Sequence, residues 1–294
     1  VMYPRVDTHA MQDVHELALQ VARRLGRVDG IVAVALGGSW ARGDAGLDDD
    51  IDLVIYYHDD ARPSVQDLRE VAAELNPNHA VHLVEDYWEQ GPLVNGQAWL
   101  WVEGRRIDWR YRDLERVGRA LSQGRSGSIG CHYQPGYPHG FFSYAFMGEV
   151  HYARPLFDPS GVLASLKLRT DPYPEALKLA IIRHFTDEAD QVLFGAQRAA
   201  TNNDILYVAG CLFRCAVCLM HVILAVHEVY FQSERQAQQC LPHLEQTPAG
   251  FLETVTDVLA APGHTPEALQ DSIARMRVYV SEVQVAHRKP LTRP

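Results

Sequence analysis

The sequence predicts an α+β protein, an N-terminal mixed β-sheet with flanking helices followed by a C-terminal helical bundle, and three observations carry that expectation. A continuous apolar run over residues 30–36 ends abruptly at Gly37-Gly38-Ser39, as a buried strand does on entering a tight turn. Residues 97–102 and 105–111 alternate in polarity and are rich in aromatics about Glu103-Gly104, as the two arms of a hairpin are. From Pro174 onward, apolar residues recur at helical spacing in long stretches punctuated by Asn, Pro and Gly.

Taken in order, residues 8–25 form an amphipathic opening helix stopped near Gly26, and the buried strand 30–36 follows. A second strand covers 50–57, and a helix opened by Pro63 and Ser64 runs to about Leu75. A third strand is expected over 80–85, ahead of the hairpin. Residues 124–140, rich in Gly, Ser, Pro and His, read as a lid-like loop, so the boundary falls after it: a first domain at 1–140 and a helical domain at 141–294. Helices are expected over 174–198, 204–231, 236–245, 248–259 and 266–287. A chain of 294 residues suits two domains, each with its own core.

The net charge of −10 argues against a protein that grips nucleic acid by its phosphates, which needs clustered Lys and Arg. The first residues are amphipathic and charged without the apolar core of a signal peptide, so export is not expected. The apolar run 211–226 is interrupted by Arg214 and His221 and is shorter than the roughly 20 residues of a membrane span. It reads as a buried helix, with no membrane partner. Five scattered cysteines do not make a disulfide framework, and a reducing cytoplasm is the expected location.

The chemistry concentrates in GGSWARGDAGLDDDIDL, residues 37–53. Gly37 and Gly38 permit a sharp turn with no Cβ in the way, so that amides and the Ser39 hydroxyl can approach triphosphate oxygens, and Arg42 is close enough in sequence to add a charge-assisted bond. On a strand of period 2, Asp50 and Asp52 share a face while Ile51, Leu53 and Ile55 point into the core. Seven acidic residues lie between positions 44 and 60, a crowding that a divalent cation neutralises, and hard oxygen ligands suit Mg²⁺ or Mn²⁺ better than zinc.

A lone Gly-Gly-Ser would be a structural turn. Joined to Arg42 and Asp-x-Asp, it resembles the nucleotidyltransferase motif of the DNA polymerase beta superfamily, matching at Gly38, Ser39, Ala41, Arg42, Gly43, Asp50, Ile51, Asp52 and Leu53. One departure is Asp49, where many relatives have Ser, with little consequence expected. The resemblance implies a third carboxylate on a later strand, for which Arg106-Ile107-Asp108-Trp109 makes Asp108 the candidate. It also implies metal ligation by Asp50, Asp52 and Asp108, triphosphate binding by Gly37, Gly38, Ser39 and Arg42, and transfer of a nucleoside monophosphate with loss of pyrophosphate.

A catalytic domain ahead of a helical bundle looks like the kanamycin, streptomycin and lincosamide nucleotidyltransferases. That likeness implies ATP as donor and the hydroxyl of a small molecule, such as an aminoglycoside or lincosamide, as acceptor. In such enzymes the bundle can supply a base, and Glu149, Asp187 and Glu188 stand beside Asp108 as alternatives. The other readings are a protein-AMPylating antitoxin type with a HEPN partner and a catalytically silent nucleotide-binding module. A homodimer is open.

Three further patterns have plainer readings. Cys211, Cys215, Cys218 and His221 lie along one helix face, and one straight helix cannot wrap a zinc ion, so they line a core. Arg214 and His221 have the Arg-x6-His spacing of HEPN ribonucleases, yet a snorkelling Arg and a satisfied core His is the favoured reading. His132, Tyr133, Tyr137 and His139 either stack on a ligand or pin their loop.

Overall fold

A computed structural model of the chain describes residues 8–76, 83–89, 95–138 and 140–286. The chain divides into two compact units, one formed by residues 8–125 with 130–172, the other by 126–129 with 173–286. The boundary read from the sequence after Gly140 thus falls inside the first unit, which takes up a further segment to Pro172.

The first unit is built on a five-stranded sheet. Helix α1 (Thr8–Leu25) leads into β1 (Ile31–Leu36), the short α2 (Gly38–Arg42), β2 (Ile51–Tyr57) and α3 (Val65–Leu75). Then come the hairpin β3 (Gln97–Val102) and β4 (Arg105–Asp113), α4 (Leu114–Arg125), the two-residue pair β5 (Cys131–His132) and β6 (Phe141–Phe142), α5 (Ala145–Tyr152), β7 (Arg154–Phe157) and α6 (Val162–Lys167). The sheet order is β3-β4-β2-β1-β7, with β2 and β4 parallel and the other neighbours antiparallel.

Sequence chemistry explains the elements. In α3 the Ser64 hydroxyl accepts from the Gln66 amide, the N-cap that starts a helix cleanly. The hairpin turns through Glu103 (φ 50°) and Gly104 (φ 77°), the pair of left-handed residues that a two-residue connection requires. Alternation divides the sheet into two faces. Ala98, Leu100 and Val102 of β3 and Ile107, Trp109 and Tyr111 of β4 are buried with Ile51, Leu53 and Ile55 of β2 in one core under α1 and α3. The opposite face carries Asp52, Val54 and Tyr56 of β2 and Arg106, Asp108, Arg110 and Arg112 of β4.

Several expectations need amendment. Of the strand expected at 80–85, residues 80–82 lie outside the described residues, and Val84 makes only an isolated bridge to Ala98. The segment 114–125 is helical, so the predicted loop begins too early at Gly124. Strand β7 and helix α5 were not anticipated: four residues in an edge strand, or a mostly buried helix of 8, carry too little periodicity to read.

The second unit is helical: α7 (Glu175–Ala200), α8 (Ile205–Val226), α9 (Glu234–Cys240), α10 (Phe251–Ala260) and α11 (Pro266–Ala286). A short connection returns the chain from α7 to α8, and α11 packs on both. Helix α8 is apolar almost all round, so nearly all of it must be covered. Its 22 residues are long and apolar enough to cross a membrane, contrary to the shorter run read from the sequence, and 78% of its most apolar window is buried in the unit.

Inside this unit the α8 patterns acquire definite roles. Cys211, Cys215 and Cys218 are buried; burial pushes the Cys215 thiol up to about 12 and the Cys218 thiol higher still. His221 is buried, its ring 4.3 Å from that of Phe185 at 9° and 3.9 Å from Phe231. Arg214 meets Glu188 through two bonds of 2.6 and 2.8 Å. The Arg-x6-His pair therefore consists of an ion-paired arginine and a stacked core histidine.

Candidate active site

The site begins where β1 stops. The Gly37 amide donates to the Asp52 carbonyl at 2.8 Å, fastening the turn to β2. Gly38 follows with φ +59°, and a Cβ added there would lie 1.8 Å from Asp52 Oδ2. No side chain fits, because the Asp52 carboxylate fills that space and the backbone is left-handed. The glycine turn and the second aspartate are thus in direct apposition.

Ser39 and Arg42 are placed differently from the expectation that both face phosphates. The Ser39 hydroxyl donates to Asp49 Oδ2 at 2.9 Å, and the same oxygen accepts from the Gly46 amide at 3.0 Å. The Asp49 carbonyl accepts from the Trp40 indole at 3.1 Å. Asp49, expected to matter little, is the hub that ties α2 to the loop before β2. Arg42 is almost wholly buried, its Nε 3.0 Å from Asp44 Oδ2, because Asp44 follows two residues later in the tight turn at Gly43. Its guanidinium is committed inward rather than presented to a ligand.

The three acids lie on one side of the sheet. Asp50 sits immediately before β2, and Asp52 pairs in register with Asp108 across the parallel β2–β4 ladder. Arginines hold them. Arg106 Nε lies 3.5 Å from Asp50 Oδ2 and 3.2 Å from Asp108 Oδ1, while Arg110 reaches Asp52 Oδ1 at 2.9 Å. Burial, then the neighbouring charge of Asp52, pushes the Asp108 carboxyl up to about 6, against the opposing pull of Arg106. Sequence reading missed both arginines, though the alternation in Arg106-Ile-Asp108-Trp-Arg110 put them on the carboxylate face.

The donor set fits a hard divalent ion: carboxylate oxygens with no sulfur or imidazole among them. Asp50, Asp52 and Asp108 are the residues that would hold it. Among the described residues, no group of three or more His, Cys, Asp or Glu side chains is drawn together closely enough to hold an ion as placed. Arg106 bridges Asp50 and Asp108 instead, and Arg110 holds Asp52.

Further along the same face, Arg112 makes a two-pronged pair with Glu149 of α5, both bonds 2.7 Å, with Arg112 nearly buried. Tyr56, which pairs with Arg112 across the ladder, is fully buried. Glu149 is therefore spent on a largely buried ion pair and Glu188 on a partly buried one with Arg214, so neither presents a free carboxylate for proton transfer. Asp187 is exposed on α7. On the edge strand β3, Trp99 and Trp101 pair with Asp108 and Arg106 and share their face, with Trp101 57% exposed. In the loop, Tyr133 is 87% exposed and Tyr137 packs edge-on against Phe141, so one aromatic is free and the other pins the loop; His132 is exposed, and His139 lies outside the described residues.

Residues 16–100 match the family described as "Nucleotidyltransferase domain". The match includes the glycine turn, Asp50 and Asp52 and stops short of Asp108. Residues 145–233 match a second family, described as "Domain of unknown function (DUF4037)". Among solved structures, a nucleotidyltransferase-like protein from Exiguobacterium sibiricum 255-15 is similar over 95% of this chain and 74% of its own, at 10% identity and a TM-score of 0.39. No curated protein matches the chain. Residues 16–100 thus resemble a nucleotidyltransferase domain, within a chain whose fold is α+β.

Proposed function

We propose that the protein is a divalent-metal-dependent nucleotidyltransferase that moves a nucleoside monophosphate, AMP from ATP, onto a hydroxyl of a small ring-bearing molecule. The observation that carries this reading is the in-register pairing of Asp52 with Asp108 while Asp52 abuts Gly38. Acidic ligands and a side-chain-free turn are thereby adjacent, which is what a metal-bound triphosphate needs.

Asp50, Asp52 and Asp108 would hold the metal, Mg²⁺ or Mn²⁺, which when bound offsets the charge of the polyphosphate and of the in-line transfer. The chain's own groups do the rest. Gly37 and Gly38 let the chain turn at the end of β1 directly against the Asp52 carboxylate, so that a metal-bound triphosphate meets main chain there and no side chain. Asp108, opposite Asp52 across the β2–β4 ladder, stands where it can take the acceptor's proton. The acceptor oxygen bonds to the α-phosphorus, the bond to the β-phosphate oxygen breaks, pyrophosphate departs with that electron pair, and the hydroxyl proton goes to Asp108.

Strand order supports a side for the acceptor. The glycine turn follows β1, the acids stand on β2 and β4, and β3 lies beyond Asp108. Trp99 and Trp101 on β3 supply a flat apolar surface on the flank away from the turn, suited to a sugar or cyclitol ring. The net charge of −10 favours a cationic acceptor such as an aminoglycoside.

Labelled ATP, Mg²⁺ and a panel of aminoglycosides and lincosamides provide the test: pyrophosphate release with at least one acceptor, lost in Asp52→Asn, supports the reading. Labelling of a polypeptide in lysate, with no small acceptor, would replace it with protein AMPylation. Thermal stabilisation by nucleotide without any transfer would leave a silent binding module.

A further inference from the structure

Building on that function, we infer that the carboxylate site carries its own counter-ion, Arg106, and that loading a divalent cation is an exchange in which this guanidinium leaves Asp50 and Asp108. One nitrogen of Arg106 spans the two acids, at 3.5 Å from Asp50 Oδ2 and 3.2 Å from Asp108 Oδ1. Asp52 is held separately by Arg110 at 2.9 Å. Between charges this close, some cation must sit, because bare carboxylates on adjacent strands repel.

Size explains why the occupant matters. Guanidinium nitrogens meet carboxylates at the distances given, whereas Mg²⁺ takes its oxygens at about 2.0–2.1 Å. A bridging arginine therefore holds Asp50 and Asp108 further apart than an ion would. Replacing the guanidinium lets each of the two carboxylates move in by roughly 1 Å.

Arg106 is also able to leave. Its side chain is 43% exposed, against 14% for Asp108, so departure returns a charge to water rather than stranding it. Directly across the hairpin stands Trp101, 57% exposed, whose indole offers a released guanidinium an alternative partner. Arg112 offers the contrast: nearly buried and two-pronged on Glu149, it is fixed. The same strand thus carries one exchangeable and one permanent arginine.

The test uses the full chain and Mg²⁺ alone, titrated calorimetrically into the parent, Arg106→Gln, Arg106→Lys and Arg105→Gln. Arg105 lies next in sequence, bonded to the Leu47 carbonyl, and its removal reports the effect of merely deleting a nearby charge. Arg106→Gln should bind Mg²⁺ at least about five-fold more tightly, Arg106→Lys should fall between, and Arg105→Gln should stay within about two-fold of the parent. In the parent, the ¹⁵Nε resonance of Arg106 should shift as Mg²⁺ saturates. Equal or weaker binding by Arg106→Gln, the same gain in Arg105→Gln, or an unmoved Arg106 resonance would overturn the exchange while leaving metal-dependent transfer intact. Mg²⁺ bound by neither parent nor Arg106→Gln, even with a non-hydrolysable triphosphate, would overturn the proposed function and this inference together.

Discussion

Glu149 is the residue on which a catalytic and a structural role make opposite forecasts. Its carboxylate accepts from Arg112 Nε and Nη2, both at 2.7 Å, with side-chain exposures of 16% and 6% for the two partners. Substituting Glu149→Gln or Glu149→Ala leaves the Arg112 charge buried without its partner, a change that costs about 3–5 kcal/mol. Removing both charges with Arg112→Leu/Glu149→Leu replaces the pair by apolar volume and should return stability to within about 1–2 kcal/mol of the parent, since buried pairs roughly break even against hydrophobic replacements. Chemical denaturation gives the stabilities, and pyrophosphate release with the accepted substrate gives the activity. The single variants should lose activity in proportion to the folded fraction, and the double variant should regain both. A double variant that is stable and folded yet inactive would refute the reasoning and make Glu149 the proton acceptor in place of Asp108.

Four shorter expectations follow from other parts of the molecule. In metal-free protein, Asp108 titrates near 6 rather than 3.8, so folding is favoured by its protonation; that contribution, about 3 kcal/mol, is fully present below the unfolded value and is lost as pH rises through 6. Asp108→Asn should therefore match the parent near pH 4 and exceed it in melting temperature near pH 8 in chelator, and a pH-independent difference would contradict the assignment. Gly38→Ala forces a Cβ to within 1.8 Å of Asp52 Oδ2 at a φ of +59°, and should abolish transfer and lower stability by about 1–3 kcal/mol, read by activity and thermal melting. Asp49→Ala should release both Ser39 and the Gly46 amide, lowering stability by about 1–2 kcal/mol and raising the KM for ATP, measured by denaturation and steady-state kinetics. Exposed Cys131 should react with a thiol reagent at pH 8 in the native protein, and buried Cys215 and Cys218 only after unfolding, a difference that mass mapping detects.

Much of this architecture was legible in the sequence, for identifiable reasons. Thr8–Leu25 ends as read because its apolar stripe stops where Gly26 begins, and the hairpin follows from Glu103-Gly104 between alternating arms. The two aspartates of β2 were legible from period-2 spacing. What sequence spacing does not reveal is which partner a polar side chain chooses. Arg42 lies near the glycine turn in sequence but bonds Asp44, Ser39 bonds Asp49, and Arg106 and Arg110 turn to acids on their own and the neighbouring strand. The reach of Arg106 to Asp50 and of Arg110 to Asp52 depends on strand pairing across a gap of about 55 residues, since the ladder sets Asp52 against Asp108, and the register of a parallel pair is not written in either strand alone.

The late strand β7 has a consequence for biosynthesis. Residues 154–157 cover the outer side of β1 in antiparallel fashion, after the chain has already contributed 126–129 to the other unit. Until the ribosome has delivered them, β1 offers an unpaired margin of backbone amides and carbonyls, a template for illicit pairing between nascent chains. A fragment ended at residue 140 would keep that raw border permanently, and the smallest piece able to seal its own sheet must extend past Phe157.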